Sequence, residues 1–171
     1  VHLSEEGKNN VSGIQGQLFS ENAKSPEIME YLVFPKLLGV AERAWVTDMP
    51  VEDKPDVNGK TAMDRAWDVF SNTLGKHALV KLEYIQPVDT YNQISEGAGV
   101  NYRIPLPGAV IEAGKLSINT RFPGLQNQYS LDEGQTWIPY YGPVDVSHVT
   151  NVKTRSITHS GRSSRVESVH Q

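Results

Sequence analysis

Two spacings of apolar residues divide this chain. From Pro26 to Tyr84 they recur at three- and four-residue steps, and from Val100 to Val169 they alternate. In the first part Leu32, Val33, Leu37, Val40, Ala41 and Trp45 form one stripe of a helix covering Ile28 to Trp45. Ser25 is placed to cap that helix, Pro26 suits its first position, and Glu27 complements its positive end. Pro35 lies inside it and predicts a kink, because proline removes one backbone donor. A second helix is predicted from about Ala62 to Tyr84, with Met63, Trp67, Phe70, Leu74, Ala78 and Leu82 on one face. Ahead of both, Val11 to Phe19 is apolar with interleaved glycine and glutamine, the pattern of a strand buried on both faces. Pro50 and Pro55 punctuate an acidic loop between the helices.

The second part predicts short strands at Val100 to Ile104, Lys115 to Asn119, Asn127 to Leu131, Thr136 to Tyr140, Val144 to Val146, Val152 to Ile157 and Arg165 to Val169. Asp132-Glu133-Gly134 signals a hairpin between two of them. So many short strands in about 80 residues predict an immunoglobulin-like sandwich. The change of pattern sets a boundary near Ile85–Val88, marked by Pro87, which gives two domains, 1–86 and 87–171. Charge shifts at the same place. Residues 1–86 carry 9 Lys/Arg against 13 Asp/Glu, and residues 87–171 carry 7 against 7.

Composition narrows the function. A net charge of −4 argues against a nucleic-acid partner, and no apolar run is long enough to span a membrane. The absence of cysteine excludes disulfides and thiolate metal sites. The five histidines lack metal-ligand spacing, so neither a metal nor another cofactor is expected. Asn58-Gly59-Lys60-Thr61 ends like a phosphate loop, but Lys54 stands where that loop requires glycine. Val1-His2-Leu3-Ser4-Glu5-Glu6 has no signal-peptide pattern and reads as the interior of a longer chain.

One segment carries a stronger signal. Gly13-Ile14-Gln15-Gly16-Gln17-Leu18-Phe19-Ser20-Glu21 resembles the Gly-x-Gln-Gly-x-Leu-Trp-Ser-Glu stretch of family 20 glycoside hydrolases, the β-N-acetylhexosaminidases and chitobiases. Ala41-Glu42-Arg43-Ala44-Trp45 is similar to the end of the helix that follows it in that family. Tyr102-Arg103-Ile104-Pro105-Leu106-Pro107-Gly108-Ala109, Tyr129-Ser130-Leu131-Asp132 and Gly161-Arg162-x-Ser164-Arg165-Val166 resemble the family's C-terminal β-domain. The resemblance implies an α+β fragment: the terminal strand and helices of a (β/α)8 barrel, then an immunoglobulin-like β-sandwich.

It also implies site residues. Barrel enzymes place their sites at the C-terminal ends of strands, and Glu21 lies just past such an end. The resemblance makes Glu21 an acceptor for sugar hydroxyls and Phe19 the ring under the sugar face. Phe19 replaces the family's tryptophan, keeping an apolar face but losing the indole N–H. Family 20 hydrolysis is substrate-assisted: the N-acetyl oxygen attacks the anomeric carbon, a glutamic acid protonates the leaving group, and an adjacent aspartate orients the acetamido group. Here the only Asp-Glu in that order is Asp132-Glu133, in the hairpin turn, and Glu52-Asp53 is reversed. No tyrosine precedes Phe19. No catalytic residue is therefore assigned, and the chain alone is expected to be inactive.

The implied parent enzyme releases terminal N-acetylglucosamine from chitin oligosaccharides in the periplasm, at the outer membrane or outside a bacterium. The alternative is a non-catalytic carbohydrate-binding or interdomain scaffolding module, for which Trp137, Tyr140 and Tyr141 are the candidate aromatics, with interdomain packing their expected role. Lys153, Arg155, Arg162 and Arg165 form a basic group, expected to be a solvated face. Without the rest of a barrel, the apolar residues of 11–46 are expected to drive self-association, or the helices to fold onto the sandwich.

Overall fold

The structure is a computed structural model and describes residues 3–46, 54–85 and 99–170. The predicted boundary at Pro87 and the Pro50 end of the acidic loop lie outside the described residues.

A short helix α1, Glu5–Asn9, is capped by Ser4, whose hydroxyl accepts from the Gly7 amide. Helices α2, Pro26–Val33, and α3, Lys36–Trp45, follow. Ser25 caps α2 as its sequence predicts, accepting from the Ile28 amide at 3.4 Å. The single helix predicted over Ile28 to Trp45 is instead two. The chain breaks at Phe34–Pro35, because Pro35 has no N–H to continue the ladder and becomes the first flank of α3.

Helix α4, Ala62–Thr73, starts at Thr61, which exchanges hydrogen bonds with Asp64 in a capping box. This accounts for the Lys60-Thr61 motif as a helix start. The rod continues through a π-helical turn, Leu74–Ala78, into α5, Leu79–Tyr84. The extra residue of a π turn shifts the buried face by one position. Leu79 is therefore buried at 1% exposure in place of the predicted Ala78, while Met63 and Trp67 at the start of the rod stay half exposed.

Among the described residues seven strands follow: β1 Gly108–Glu112, β2 Lys115–Asn119, β3 Gln126–Ser130, β4 Ile138–Pro139, β5 Val144–Asp145, β6 Asn151–Ile157 and β7 Glu167–His170. They form two antiparallel sheets, ordered β1-β2-β5 and β4-β3-β6-β7. Leu116 and Ile118 of one sheet, Tyr129 and Val152 of the other, and Val146 just after β5 share a core, so the sheets face each other as a sandwich. The predicted strand Val100 to Ile104 is not one. Its alternating Tyr102 and Ile104 are buried, but its backbone bonds run to helices rather than to a sheet. The strand at Gly108–Glu112 was not predicted, because Pro107-Gly108 reads as a turn.

A second core joins the helices to the strands. Leu74, Leu79 and Leu82 pack with Tyr102, Ile104, Phe122 and Leu125, and Phe34, Leu38, Phe70 and Val100 close its edge. Burying each large side chain there contributes about 1.5–3 kcal/mol. At Gly75 the helical rod meets the loop after β2 so closely that a Cβ would collide with the Pro123 carbonyl. The rod of residues 62–84 is thus packed into the strand-bearing half.

Candidate functional site

Residues 11–20 do not form the buried strand that their pattern predicts. They have no regular secondary structure and are exposed. A strand needs neighbours for its N–H and C=O groups, and among the described residues no strand lies beside this one. Gly16, Gln17 and Leu18 instead line, with Leu32, Val33 and Leu37 of α2 and α3, a cavity of about 220 Å³.

The candidate residues stand at the end of this segment. Phe19 is 76% exposed. Glu21 occupies a turn closed by the Ala23 amide donating to the Ser20 carbonyl at 2.9 Å. Glu21 is exposed and has no hydrogen bond or ion pair among the described residues. It does not cap α2, a task that Ser25 performs, and Phe19 is not core. Two residues apart, they offer a carboxylate acceptor and a bare ring face. Hydrogen bonds from the Ser25 side chain and its own backbone amide hold the Glu27 carboxyl below its ordinary range.

Asp132 and Glu133 are consumed by the hairpin. Asp132 accepts from the Thr136 hydroxyl at 2.6 Å, the Thr136 amide at 2.9 Å and the Ser130 hydroxyl at 2.7 Å. These bonds pull its carboxyl down to about 2. Glu133 accepts from Asn151 and pairs with Lys153. The predicted aromatic group is dispersed as well. Trp137 lies under the Arg155 guanidinium, 4.0 Å from its ring centre, so it packs within its own sheet rather than between domains. Tyr140 edges the sandwich core, and Tyr141 is 94% exposed. The predicted basic face is divided too, since Lys153 serves Glu133, Arg155 serves Trp137 and Gln128, and Arg162 lies over Tyr102.

Sequence reasoning missed a buried polar group between the two halves. The Tyr102 hydroxyl, on a residue 1% exposed, donates to Glu83 Oε1 at 2.9 Å, and the Ser160 amide donates to Glu83 Oε2 at 3.2 Å. Burial, then the charge and hydrogen bond of Glu83, push the Tyr102 hydroxyl well above its ordinary value, while Arg162 works against the rise. The one signal for this group was Glu83 directly after Leu82 on the predicted apolar face. Among the described residues no three His, Asp or Glu side chains are placed to hold a metal ion.

Residues 2–48 match the family described as glycosyl hydrolase family 20, catalytic domain. Residues 93–166 match the chitobiase/beta-hexosaminidase C-terminal domain. The two matches fall in this order along one chain, and each contains one of the motifs above. Part of a family 20 catalytic domain and a chitobiase/beta-hexosaminidase C-terminal domain are thus matched in one chain. It is 34% identical over 167 residues to N,N'-diacetylchitobiase of Vibrio harveyi, an alignment covering 92% of this chain and 17% of that protein. A beta-hexosaminidase of Vibrio vulnificus is 33% identical over 174 residues, covering 92% and 19%. A beta-hexosaminidase of Porphyromonas gingivalis is 28% identical over 171 residues, covering 93% and 18%. The chain therefore spans less than a fifth of the length of these relatives.

Proposed function

We propose that this chain supplies part of the sugar site of a bacterial β-N-acetylhexosaminidase that releases terminal N-acetylglucosamine from chitin oligosaccharides. Glu21 accepts hydrogen bonds from sugar hydroxyls, and Phe19 offers its ring to the sugar face. The observation that carries this reading is the exposure of both side chains, two residues apart, on the segment that matches the catalytic domain. A buried Phe19 and an ion-paired Glu21 would have argued for a structural role.

Substrate-assisted hydrolysis needs an Asp-Glu pair facing the sugar. Asp132-Glu133 is committed to its turn, so that pair belongs to sequence outside this chain, as does the rest of the barrel that residues 11–45 would complete. Residues 99–170 take the part of the immunoglobulin-like accessory domain. An interdomain scaffolding role for this half is favoured by the core that it shares with residues 74–82. The parent protein acts in the periplasm, at the outer membrane or outside the cell. No helix among the described residues is long and apolar enough to cross a membrane.

The test is Glu21→Ala in a protein carrying the complete catalytic domain. Loss of a hydrogen bond to a charged group costs about 1.5–3 kcal/mol, so kcat/KM should fall about 10- to 150-fold. A value within about twofold of wild type would show that Glu21 does not touch the sugar.

A further inference from the structure

The segment from Val100 to Arg103 bonds to helices on one side and to the sandwich on the other. The Val100 amide donates to the Leu82 carbonyl at 2.8 Å. The Asn101 amide donates to Glu30 Oε2 at 2.7 Å, and its side-chain amide to the Glu27 carbonyl at 3.1 Å. The Arg103 amide donates to the Phe34 carbonyl at 3.1 Å. Three of these four bonds end on α2 or the residue that closes it. From the sandwich, Arg162 spreads one guanidinium over the same segment. It donates to the Val100 carbonyl at 3.0 Å and to Asn101 Oδ1 and the Tyr102 carbonyl, each at 3.1 Å. Its Cζ lies 4.9 Å from the Tyr102 ring centre. Gly99 begins the segment at φ +62°, where a Cβ would run into the Glu83 carbonyl, so the entry is fixed as well.

Helix α2 follows the candidate turn directly along the chain, its cap Ser25 lying two residues after Ala23. Its Leu32 and Val33 line one cavity with Gly16, Gln17 and Leu18, the residues immediately before Phe19. Hydrogen bonds therefore run from Arg162 through Asn101 to Glu30 and Glu27 of α2, and the chain itself joins α2 to the turn. Tyr102 and Glu83, both buried, hold the middle of that path.

We infer that Arg162, Asn101 and Glu30 are positioning residues for the Phe19–Glu21 turn, through which the sandwich sets where that turn stands without touching the ligand. What the turn contacts rests on the function proposed above, whereas the path itself does not.

Residue-resolved amide hydrogen exchange on the full chain tests it, with Glu30→Ala, Glu30→Gln, Arg162→Ala and Arg162→Lys. The reporters are the Ala23 amide, which closes the turn, and the Phe34 amide, which ends α2 on the Glu30 carbonyl. The Val146 amide, bonded to the Gly114 carbonyl, is the control in the sandwich. Alanine has the higher helix propensity, so a purely local effect of Glu30→Ala would slow exchange in α2. The inference predicts the opposite: Glu30→Ala speeds exchange at Ala23 and Phe34 by about tenfold, with Val146 within about twofold. Glu30→Gln, which keeps an acceptor for the Asn101 amide, restores most of the protection. Arg162→Ala repeats the effect from the other side, and Arg162→Lys, which keeps the charge but not the fork, falls between. Changes confined to residues 99–103 and 158–164, with Ala23 and Phe34 at wild-type rates, would overturn it. If Arg162→Ala exposes Val146 as well, the Glu30 pair decides alone. No sugar enters the measurement, so a failure of the sugar reading leaves its outcome untouched.

Discussion

Residues 3–46 and residues 99–170 are both rich in apolar side chains, yet they use them differently. The first region contains no buried residue, and Phe19 and Trp45 are 76% and 85% exposed. The second buries Leu116, Val146 and Val152 completely and contributes to a further core with residues 74–82. The difference lies in what each apolar face meets. A sandwich strand finds its partner sheet within the same seventy residues. The apolar faces of residues 11–46 meet little beyond one another and the edge of the junction core. We propose that these faces back a barrel completed by other sequence, so that their pattern records a surface made for neighbours. Self-association or docking onto the remaining catalytic domain are the two ways of covering them that we propose.

The largest break of this comparison is a matched pair of leucine truncations. Leu79→Ala removes a side chain 1% exposed and should cost about 2–5 kcal/mol in urea unfolding. Leu37→Ala, at 45% exposure, should change stability by no more than about 0.5 kcal/mol. Equal losses would mean that residues 3–46 are as well packed as the rest.

A smaller effect tests the seam between the halves. Tyr102→Phe leaves Glu83 with one donor fewer and should cost about 1–3 kcal/mol. It also carries a pH signature. The folded state raises the tyrosine above its ordinary value of 10.0, so its contribution is intact below that pH and is lost as pH rises beyond it. Thermal melts should therefore show an alkaline decline in wild type that Tyr102→Phe lacks. The smallest effect concerns the β3–β4 turn. Asp132 is lowered from 3.8 to about 2, so its contribution is present above 3.8 and is lost as pH falls toward 2. Asp132→Asn should melt with a shallower acid decline over that window than wild type.

The sandwich was the more legible region. The predicted strand at Lys115 to Asn119 matches β2 residue for residue, because alternation there coincides with burial on one face. The hairpin at Asp132-Glu133-Gly134 was legible for the same local reason, the conformations of Glu133 and Gly134 being left-handed. Val100 to Ile104 misled because alternation reports which side chains are buried, not where backbone hydrogen bonds go. Val11 to Phe19 misled for a related reason: its pattern specifies a strand only in company. The shift from Ala78 to Leu79 needed the π turn, which no residue type announces. Of the candidate site, Phe19 and Glu21 are proposed from their motif, and the structure adds only that both are exposed. Arg162, Asn101 and Glu30 were not, since their pairing spans 61 to 71 residues and leaves no local trace.

The central proposal is that this chain carries a sugar-contact turn and the elements that hold it, with the hydrolytic centre supplied by other sequence. The most direct measurement is the hydrolysis of an aryl β-N-acetylglucosaminide by the purified chain. The account predicts no turnover above a protein-free blank. Turnover above that blank that is abolished by Glu21→Gln would contradict it.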